Sequence, residues 1–232
     1  MSNSGDLLVI VPSRARPQNL ARLLNAVHKT RTLETHVYAG VDDDDPALPE
    51  YERIFGKLQA PGDRLETGPR KGLAAWTNHI AARMADRYPY LASLGDDHLP
   101  RTKGWDQALV RAIKDNGGTG FSYPHDGTRE DIPEAVVVSS DIVKALGWMA
   151  EPALSHYYID NVWADLGRQA GCLRYLRAIA VDHLNPATGK IPGDATYAAS
   201  SEKLSADQEA YFTWRAERMS DDVRTVRELQ SA

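Results

Sequence analysis

The first long apolar run of the chain, Leu7 to Val11, contains no polar residue and no alternation of polar and apolar residues. Such a run is typical of a strand buried on both faces of a parallel sheet. A short polar loop and Pro17 follow, and apolar residues then recur at helical spacing, at Leu20, Leu23, Leu24 and Val27. A strand, loop and helix in this order predict an α/β fold in which helices cover the sheet.

The alternation of strand and helix continues through the first half of the chain, which implies a mainly parallel sheet with right-handed crossovers. The predicted strands cover residues 7–12, 36–41, 65–67, 90–94, 120–123, 135–138 and 174–181. We expect one domain over residues 1–186, with halves of about 7–100 and 101–186. Residues 187–232 would add a mobile loop, at 190–201, and a C-terminal helical strap packed on the same domain.

Composition excludes several classes of protein. A hydrophobic content of 42% and a charged content of 25% are ordinary for a globular chain, so disorder is not expected. The net charge of −5 speaks against a broad nucleic-acid-binding face. The one cysteine, Cys172, excludes an internal disulfide framework. Because neither a signal peptide nor an apolar run of membrane-spanning length is evident, we expect a cytoplasmic protein without a membrane partner.

Potential metal ligands follow the strand at residues 90–94, where Asp96, Asp97 and His98 are consecutive. The carboxyl ends of strands in an open α/β sheet border the crevice in which ligands bind. Two carboxylates and an imidazole suit Mn²⁺ or Mg²⁺ better than a metal that prefers sulfur. A solvated turn, in which an aspartate caps the next segment and His98 has no role, is the alternative.

Other strands also end in polar residues. The second strand ends at Asp42, the first of four aspartates that we expect to form a mostly solvated loop, and the last strand ends at Asp182 and His183. Arg14 and Arg16 follow the first strand and could meet phosphate, although a plain surface position is equally open for Arg16.

Together these segments resemble nucleotide-sugar glycosyltransferases of the GT-A fold, in particular the inverting, metal-dependent class and its small phage-encoded relatives. The resemblance spans residues 7 to about 186 and implies a single Rossmann-like domain with a nucleotide-binding half and an acceptor half. The segments that carry it are Val9–Arg14, Val41–Asp42, Lys71–Asn78, Gly95–His98, Tyr158–Asn161 and Asp182–His183.

The resemblance implies how a nucleoside-diphosphate sugar would be held. Pro12, Ser13 and Arg14 would hold ribose and diphosphate, and Asp42 would recognise the nucleobase, with uridine favoured. The remaining implied members of the nucleotide pocket are Arg70, Lys71, Gly72 and Asn78.

The resemblance also implies a metal site of Asp97 and His98, completed by His183, with Asp96 near the ribose. A second assignment, with Asp96 and His98 as the ligand pair, stays open. Gly95 departs from the commonest form of the motif, because an acidic residue often stands at its position.

Asp160 matches the catalytic aspartate of the inverting enzymes in position. A carboxylate there would accept the proton of the acceptor hydroxyl as its oxygen attacks the anomeric carbon. A single base without an enzyme nucleophile predicts inversion. The alternative for Asp160 is a helix N-cap, and Trp163 is equally compatible with stacking on the acceptor and with the core.

The predicted function is therefore metal-dependent transfer of a sugar, with a UDP-sugar favoured as donor. The alternatives are a sugar-phosphate nucleotidyltransferase, whose glycine-rich phosphate loop this chain lacks, and an inactive nucleotide-sugar-binding module. The acceptor would be a virion protein, a glycan or a modified base in phage DNA, in the host cytoplasm if the chain is phage-encoded. The last acceptor would need a basic track, for which the available cations are Arg101, Lys103, Arg129, Arg215, Arg218, Arg224 and Arg227. The sugar, the acceptor and the oligomeric state are not readable from the sequence.

Overall fold

The structure is a computed structural model that describes residues 5–127, 129–184 and 203–231. The segment 190–201, for which a mobile loop is predicted, lies outside these residues. The strands are β1 (Leu7–Ser13), β2 (Thr35–Asp42), β3 (Arg64–Gly68), β4 (Tyr90–Ser93), β5 (His98–Pro100), β6 (Phe121–His125), β7 (Val136–Ser139) and β8 (Leu173–His183). The helices are α1 (Pro17–Thr30), α2 (Leu48–Leu58), α3 (Leu73–Met84), α4 (Trp105–Lys114), α5 (Ser140–Leu146), α6 (Ile159–Gln169), α7 (Leu204–Glu217) and α8 (Met219–Gln230).

The strands form one eight-stranded sheet in the order β3-β2-β1-β4-β7-β6-β8-β5. β1, β2, β3 and β4 are mutually parallel where they pair, and β6 is parallel to β8. β7 runs antiparallel to β4 and β6, and β5 runs antiparallel to β8. The predicted α/β domain with a mainly parallel sheet is confirmed, and the carboxyl ends of β1, β2 and β4 meet at one edge of it.

Both faces of the sheet are covered, which explains why the first strand lacks alternation. Leu8 and Ile10 of β1 belong to the core that α3 covers, whereas Leu7, Val9 and Val11 belong to the core beneath α1 and α4. Each side chain of the run therefore leaves water, at about 25 cal/mol per Å² of apolar surface buried.

The predicted C-terminal helical strap is confirmed by α7 and α8. Tyr211 and Trp214 of α7 and Val223 and Val226 of α8 are buried in the core that α3 also covers. Among the described residues, none of the helices combines the length and the apolar character needed to cross a membrane.

Helix α2 and the short strand β5 are elements that the sequence analysis did not locate. The first is the longer of the two. Its buried residues are Tyr51, Ile54 and Phe55, and the short run between the aspartates and Gly56 hides their helical spacing. The aspartate run before it is solvated only at Asp43 and Asp44, because Asp45 is buried and accepts the backbone N–H groups of Ala15 at 2.7 Å and Ala47 at 2.8 Å. A carboxylate is retained there because it satisfies N–H groups at a helix start.

Helix α4 is tied to the α1–β2 connection by one buried carboxylate. Asp106 accepts the backbone N–H groups of Thr32 and Leu33 at 3.0 Å and the hydroxyl of Thr35 at 2.7 Å. We predict that Asp106→Ala lowers the free energy of unfolding by about 3 kcal/mol, because several buried donors lose their acceptor. Chemical denaturation measures this loss.

The control is Asp115→Ala, which removes an exposed carboxylate at the other end of the same helix, paired with Arg111 at 3.2 Å. Its expected effect is within about 0.5 kcal/mol. Equal effects of the two substitutions would contradict the structural role assigned to Asp106.

Candidate active site

Three potential metal ligands converge at the edge of the sheet where β5 pairs with β8. The antiparallel register places His98 opposite His183, and Asp97 directly precedes β5. Asp97 Oδ1 lies 3.6 Å from His98 Nδ1 and 3.5 Å from His183 Nε2, and one ligand atom from each residue lies within 4.8 Å of the others. The two rings are stacked with centroids 4.3 Å apart. The structure thus brings together the three residues expected to hold the metal.

The ring of His183 lies between two carboxylates. Its Nδ1 lies 2.5 Å from Glu134 Oε2, and its Nε2 faces Asp97. Burial alone would lower the pKa of His183, but its hydrogen bonds to Asp97 and Glu134 and their negative charges outweigh burial and raise the pKa to about 10. Sequence reasoning missed Glu134, because nothing in its neighbourhood indicates a ligand.

His98 is the most enclosed ligand candidate. Its Nδ1 accepts the backbone N–H of Gly95 at 2.8 Å, and its Nε2 is buried without a hydrogen-bond partner among the described residues. Burial, and next the positive charge of His183, lower the pKa of His98 to about 4, so the ring is neutral. A neutral imidazole with a buried polar atom left over is the state in which histidine binds a metal.

Gly95 is required by space. A Cβ at this position would lie 2.5 Å from Asp97 Oδ1 and 3.0 Å from His98 Nδ1, closer than a side chain tolerates. The departure of Gly95 from the commonest acidic motif therefore has a physical reason, since any side chain there would displace the Asp97 carboxylate and the His98 ring.

Asp96 faces away from this cluster, toward the β1–α1 loop. It accepts the hydroxyl of Ser13 at 2.5 Å, and Asn19 donates to it at 3.4 Å. Burial, and next the charge of Asp97, raise the pKa of Asp96 to about 7. This geometry favours the assignment in which Asp97 is the ligand and Asp96 serves the loop expected to hold the ribose.

Arg16 lies inside the site and not on the surface. Its side chain is only 10% exposed, and its Nη1 lies 3.6 Å from Asp96 Oδ1 and 3.8 Å from Asp97 Oδ2. The loop is shaped by Tyr51 of α2, whose hydroxyl meets Ser13 at 2.7 Å and accepts the Arg16 backbone N–H at 2.8 Å. Tyr51 escaped the sequence analysis together with its helix.

Asp42 is buried at the end of β2, and both of its oxygens have partners. Oδ1 accepts the indole N–H of Trp76 at 2.7 Å and the backbone N–H of Lys71 at 3.0 Å, and Oδ2 accepts from Arg14 at 2.8 Å. Arg14 also reaches the exposed Asp44 at 2.5 Å. Asp42 thus joins three segments expected to contact the donor.

The other residues expected to contact the donor lie on different elements and differ in their exposure and contacts. Pro12 lies in β1 just before Ser13, Arg70 is exposed, and Gly72 is the N-cap of α3 with a φ of +82°. The ammonium of Lys71 lies 4.7 Å from the centroid of the Trp76 ring. Asn78 faces the second half of the chain, where its amide oxygen accepts the backbone N–H groups of residues 149 and 150 at 2.9 Å and 2.8 Å.

Asp160 lies in the first turn of α6. The N-cap position belongs to Tyr158, which has a φ of +65°, so Asp160 is not the N-cap; its Oδ1 accepts the Asn161 N–H at 2.9 Å. Burial raises the pKa of Asp160 to about 6, with the N–H of Asn161 acting against it and the charge of Glu134 adding to it. Trp163 is buried and donates to the carbonyl of residue 149 at 2.7 Å, as a core residue does.

Helix α7 holds the segment that precedes Asp160. The buried carboxylate of Asp207 accepts the backbone N–H groups of Ser155, His156 and Tyr157 at 2.8 to 2.9 Å. Burial, and next the charge of Lys203, lower the pKa of His156, which also senses the charges of Arg16 and Asp97. His156 thus belongs to the surroundings of the site, and no sequence motif indicated it.

Comparison of folds identifies similar solved structures. One is the mannosyltransferase PcManGT from Pyrobaculum calidifontis in complex with GDP-Man and Mn²⁺, with a TM-score of 0.66, 12% identity and coverage of 96% of this chain and 73% of that one. Another is TarS from S. aureus, with a TM-score of 0.60, 12% identity and coverage of 76% of this chain. A third is TarS 1–349 in complex with UDP-GlcNAc, with a TM-score of 0.58, 12% identity and the same 76% coverage.

This chain spans 36% of the length of the TarS structure and 57% of the TarS fragment with UDP-GlcNAc. No protein-family model and no curated protein matches the sequence. At these identities the likeness shows the fold, and the GT-A fold implied by the sequence resemblance is confirmed.

We predict that Gly95→Ala weakens Mn²⁺ binding by at least about tenfold, because the new methyl group displaces Asp97 and His98 from each other. Isothermal titration of the purified chain with Mn²⁺ measures the affinity.

The matched control is Gly56→Ala in α2, where a Cβ meets nothing within 4 Å. This variant should bind Mn²⁺ as the wild type does and should be slightly more stable, because alanine favours the helix. Unchanged Mn²⁺ affinity in Gly95→Ala would show that the Asp97–His98 arrangement does not hold the ion.

Proposed function

We propose that this chain is a metal-dependent, inverting glycosyltransferase that moves a sugar from a nucleoside-diphosphate sugar to an acceptor hydroxyl. The observation that carries the proposal is the convergence of Asp97, His98 and His183 at the carboxyl edge of a GT-A sheet. Burial raises the pKa of Asp160, and the charge of Glu134, which contacts His183, adds to that rise. PcManGT and TarS, which share the fold, were solved with GDP-Man and Mn²⁺ and with UDP-GlcNAc, respectively.

Asp97, His98 and His183 would hold the metal. One carboxylate oxygen and two imidazoles fit Mn²⁺ better than Mg²⁺, which prefers a shell of oxygen ligands and water. The buried and unpartnered Nε2 of His98 and the space kept free at Gly95 support this fit. When bound, the ion supplies positive charge against the diphosphate that leaves the sugar.

The chain's own cations would share that task. Arg16 lies against Asp96 and Asp97, and Arg14 pairs with Asp42. The ammonium of Lys71 lies over the ring of Trp76, whose indole N–H donates to Asp42. Fixed positive charge placed where negative charge develops stabilises a transition state. Asp42 and Ser13 would orient the nucleoside, and we favour a UDP-sugar on the resemblance alone, so a GDP-sugar belongs in the same test.

Asp160 would act as the general base. Its carboxylate takes the proton of the acceptor hydroxyl while the oxygen attacks the anomeric carbon, and the bond from that carbon to the diphosphate breaks. In this single displacement the acceptor attacks from the side opposite to the leaving group, which inverts the configuration.

The charges around the surface favour a glycan or protein hydroxyl over modified DNA as acceptor. Five of the seven cations expected to form a basic track are paired with acids, as in Arg101 with Asp182 at 2.8 Å and Arg215 with Asp165 at 3.3 Å. Arg129, Arg218 and Arg224 pair with acids in the same way. Cations that are already neutralised contribute little to binding a phosphate backbone.

We predict that, with saturating Mn²⁺, one sugar nucleotide of a UDP and GDP panel is turned over to free nucleoside diphosphate. Asp160→Asn should lower kcat by about 10²- to 10⁴-fold without weakening donor binding, because it removes only the base. Coupled detection of the nucleoside diphosphate and calorimetry with the donor measure the two quantities.

Asp141→Asn is the matched control, because Asp141 Oδ1 accepts the next backbone N–H in the first turn of α5, at 2.8 Å, as Asp160 does in α6. It should leave kcat unchanged. Donor binding without turnover would favour an inactive binding module, and release of pyrophosphate from a nucleoside triphosphate and a sugar phosphate would favour a nucleotidyltransferase.

The raised pKa of Asp160 predicts an acid limb in kcat. A base is active when ionised, so kcat should rise with pH and reach half of its plateau near pH 6, set by burial of Asp160 and by the facing charges of Glu134 and Arg129. A pH profile at saturating Mn²⁺ and donor tests this. A midpoint at or below pH 4, the ordinary range of an aspartate, would contradict the environment assigned to Asp160.

A further inference from the structure

We propose that Glu134 is a positioning residue that orients the imidazole of His183 for metal binding. This inference rests on the proposed function, since it concerns the same site. It adds to that site a residue that the sequence motifs do not indicate.

The contact is specific and sheltered. Glu134 lies just before β7, its side chain is 18% exposed, and its Oε2 is 2.5 Å from His183 Nδ1. On the other side of the ring, Nε2 lies 3.5 Å from Asp97 Oδ1. The backbone of His183 is fixed separately, because its N–H donates to the carbonyl of Asp126 at 3.1 Å. Glu134 therefore acts on the ring and not on the path of the strand.

The ring needs such a partner for a chemical reason. A neutral imidazole that binds a metal through one nitrogen carries its proton on the other, and an acceptor for that proton selects both the tautomer and the ring orientation. Stacking on His98, at 4.3 Å between centroids, holds the plane of the ring. Stacking does not distinguish the ring from the same ring turned by 180°, in which carbon atoms would face Asp97 and Glu134. The hydrogen bond to Glu134 does distinguish them.

Three substitutions separate the reach of Glu134 from its charge. Glu134→Gln keeps an acceptor oxygen at the same distance and loses the charge, Glu134→Asp keeps the charge and withdraws the oxygen by one methylene, and Glu134→Ala removes both. Glu130→Ala is the control, because Glu130 is a half-exposed glutamate of the same loop, paired with Arg177 at 3.2 Å.

The readout is Mn²⁺ affinity of the whole chain, measured by paramagnetic resonance of free Mn²⁺, with thermal unfolding as a check of the fold. For a positioning role we expect Glu134→Ala and Glu134→Asp to weaken binding by about 10- to 100-fold, Glu134→Gln by less than about tenfold, and Glu130→Ala not at all. If Glu134→Ala does not fold, the Mn²⁺ affinities of Glu134→Gln and Glu134→Asp still distinguish a positioning role from a role of the charge.

Two results overturn the inference while leaving the proposed function intact. In one, the wild type binds Mn²⁺ and all Glu134 variants bind it equally well. In the other, the order is reversed, with Asp near the wild type and Gln weakened, which would make Glu134 a source of charge. A wild type whose Mn²⁺ binding is absent, or is not reduced by His183→Ala, removes the metal site itself and the inference with it.

Discussion

The pairing of β5 with β8 is the constraint on which the site depends. Its register places His98 opposite His183, and the stacked rings share Asp97 as a neighbour. A shift by one residue would turn each side chain to the other face of the sheet. The carboxylate of Glu134 then connects the ligand cluster to Asp160, because it contacts His183 and acts electrostatically on Asp160. The proposed metal ligand and the proposed base thereby share Glu134 as a neighbour.

The charged groups at this edge of the sheet, two buried carboxylates beside an arginine, suit a site for a cation and an anion. Asp96 and Asp97 are both buried, and isolated carboxylates would be costly there. The structure offsets that cost with Arg16, with a raised pKa at Asp96 and with the positive charge of His183. A bound divalent ion would assume part of this role, after which Arg16 would be available to a diphosphate.

The length of the elements decides how much of the fold and of the candidate site could be predicted from the sequence. The β-branched runs of β1 and β2 and the ligands at strand ends depend on local patterns, so the fold class and the candidates Asp97, His98 and His183 were accessible. Strand β5 has three residues, which are too few to show a periodicity. The pairing of β5 with β8 that places the two histidines side by side could therefore not be predicted. Tyr51 and Glu134 reach the site through contacts between distant segments, and such contacts also bury Arg16, for which the sequence left a surface position open. No local pattern encodes such contacts.

The C-terminal strap is more than a cover for the core. Asp207 of α7 binds three successive backbone N–H groups in the segment before Asp160, and Tyr211 of the same helix stacks on Tyr158 at 5.0 Å between centroids. Tyr158 holds a left-handed conformation, which a non-glycine residue adopts only where its surroundings enforce it. The strap supplies those surroundings, so the direction in which α6 presents its aspartate is set by residues more than forty positions later in the chain. In this fold the placement of the candidate base is therefore a tertiary property, which depends on the packing of the last helices.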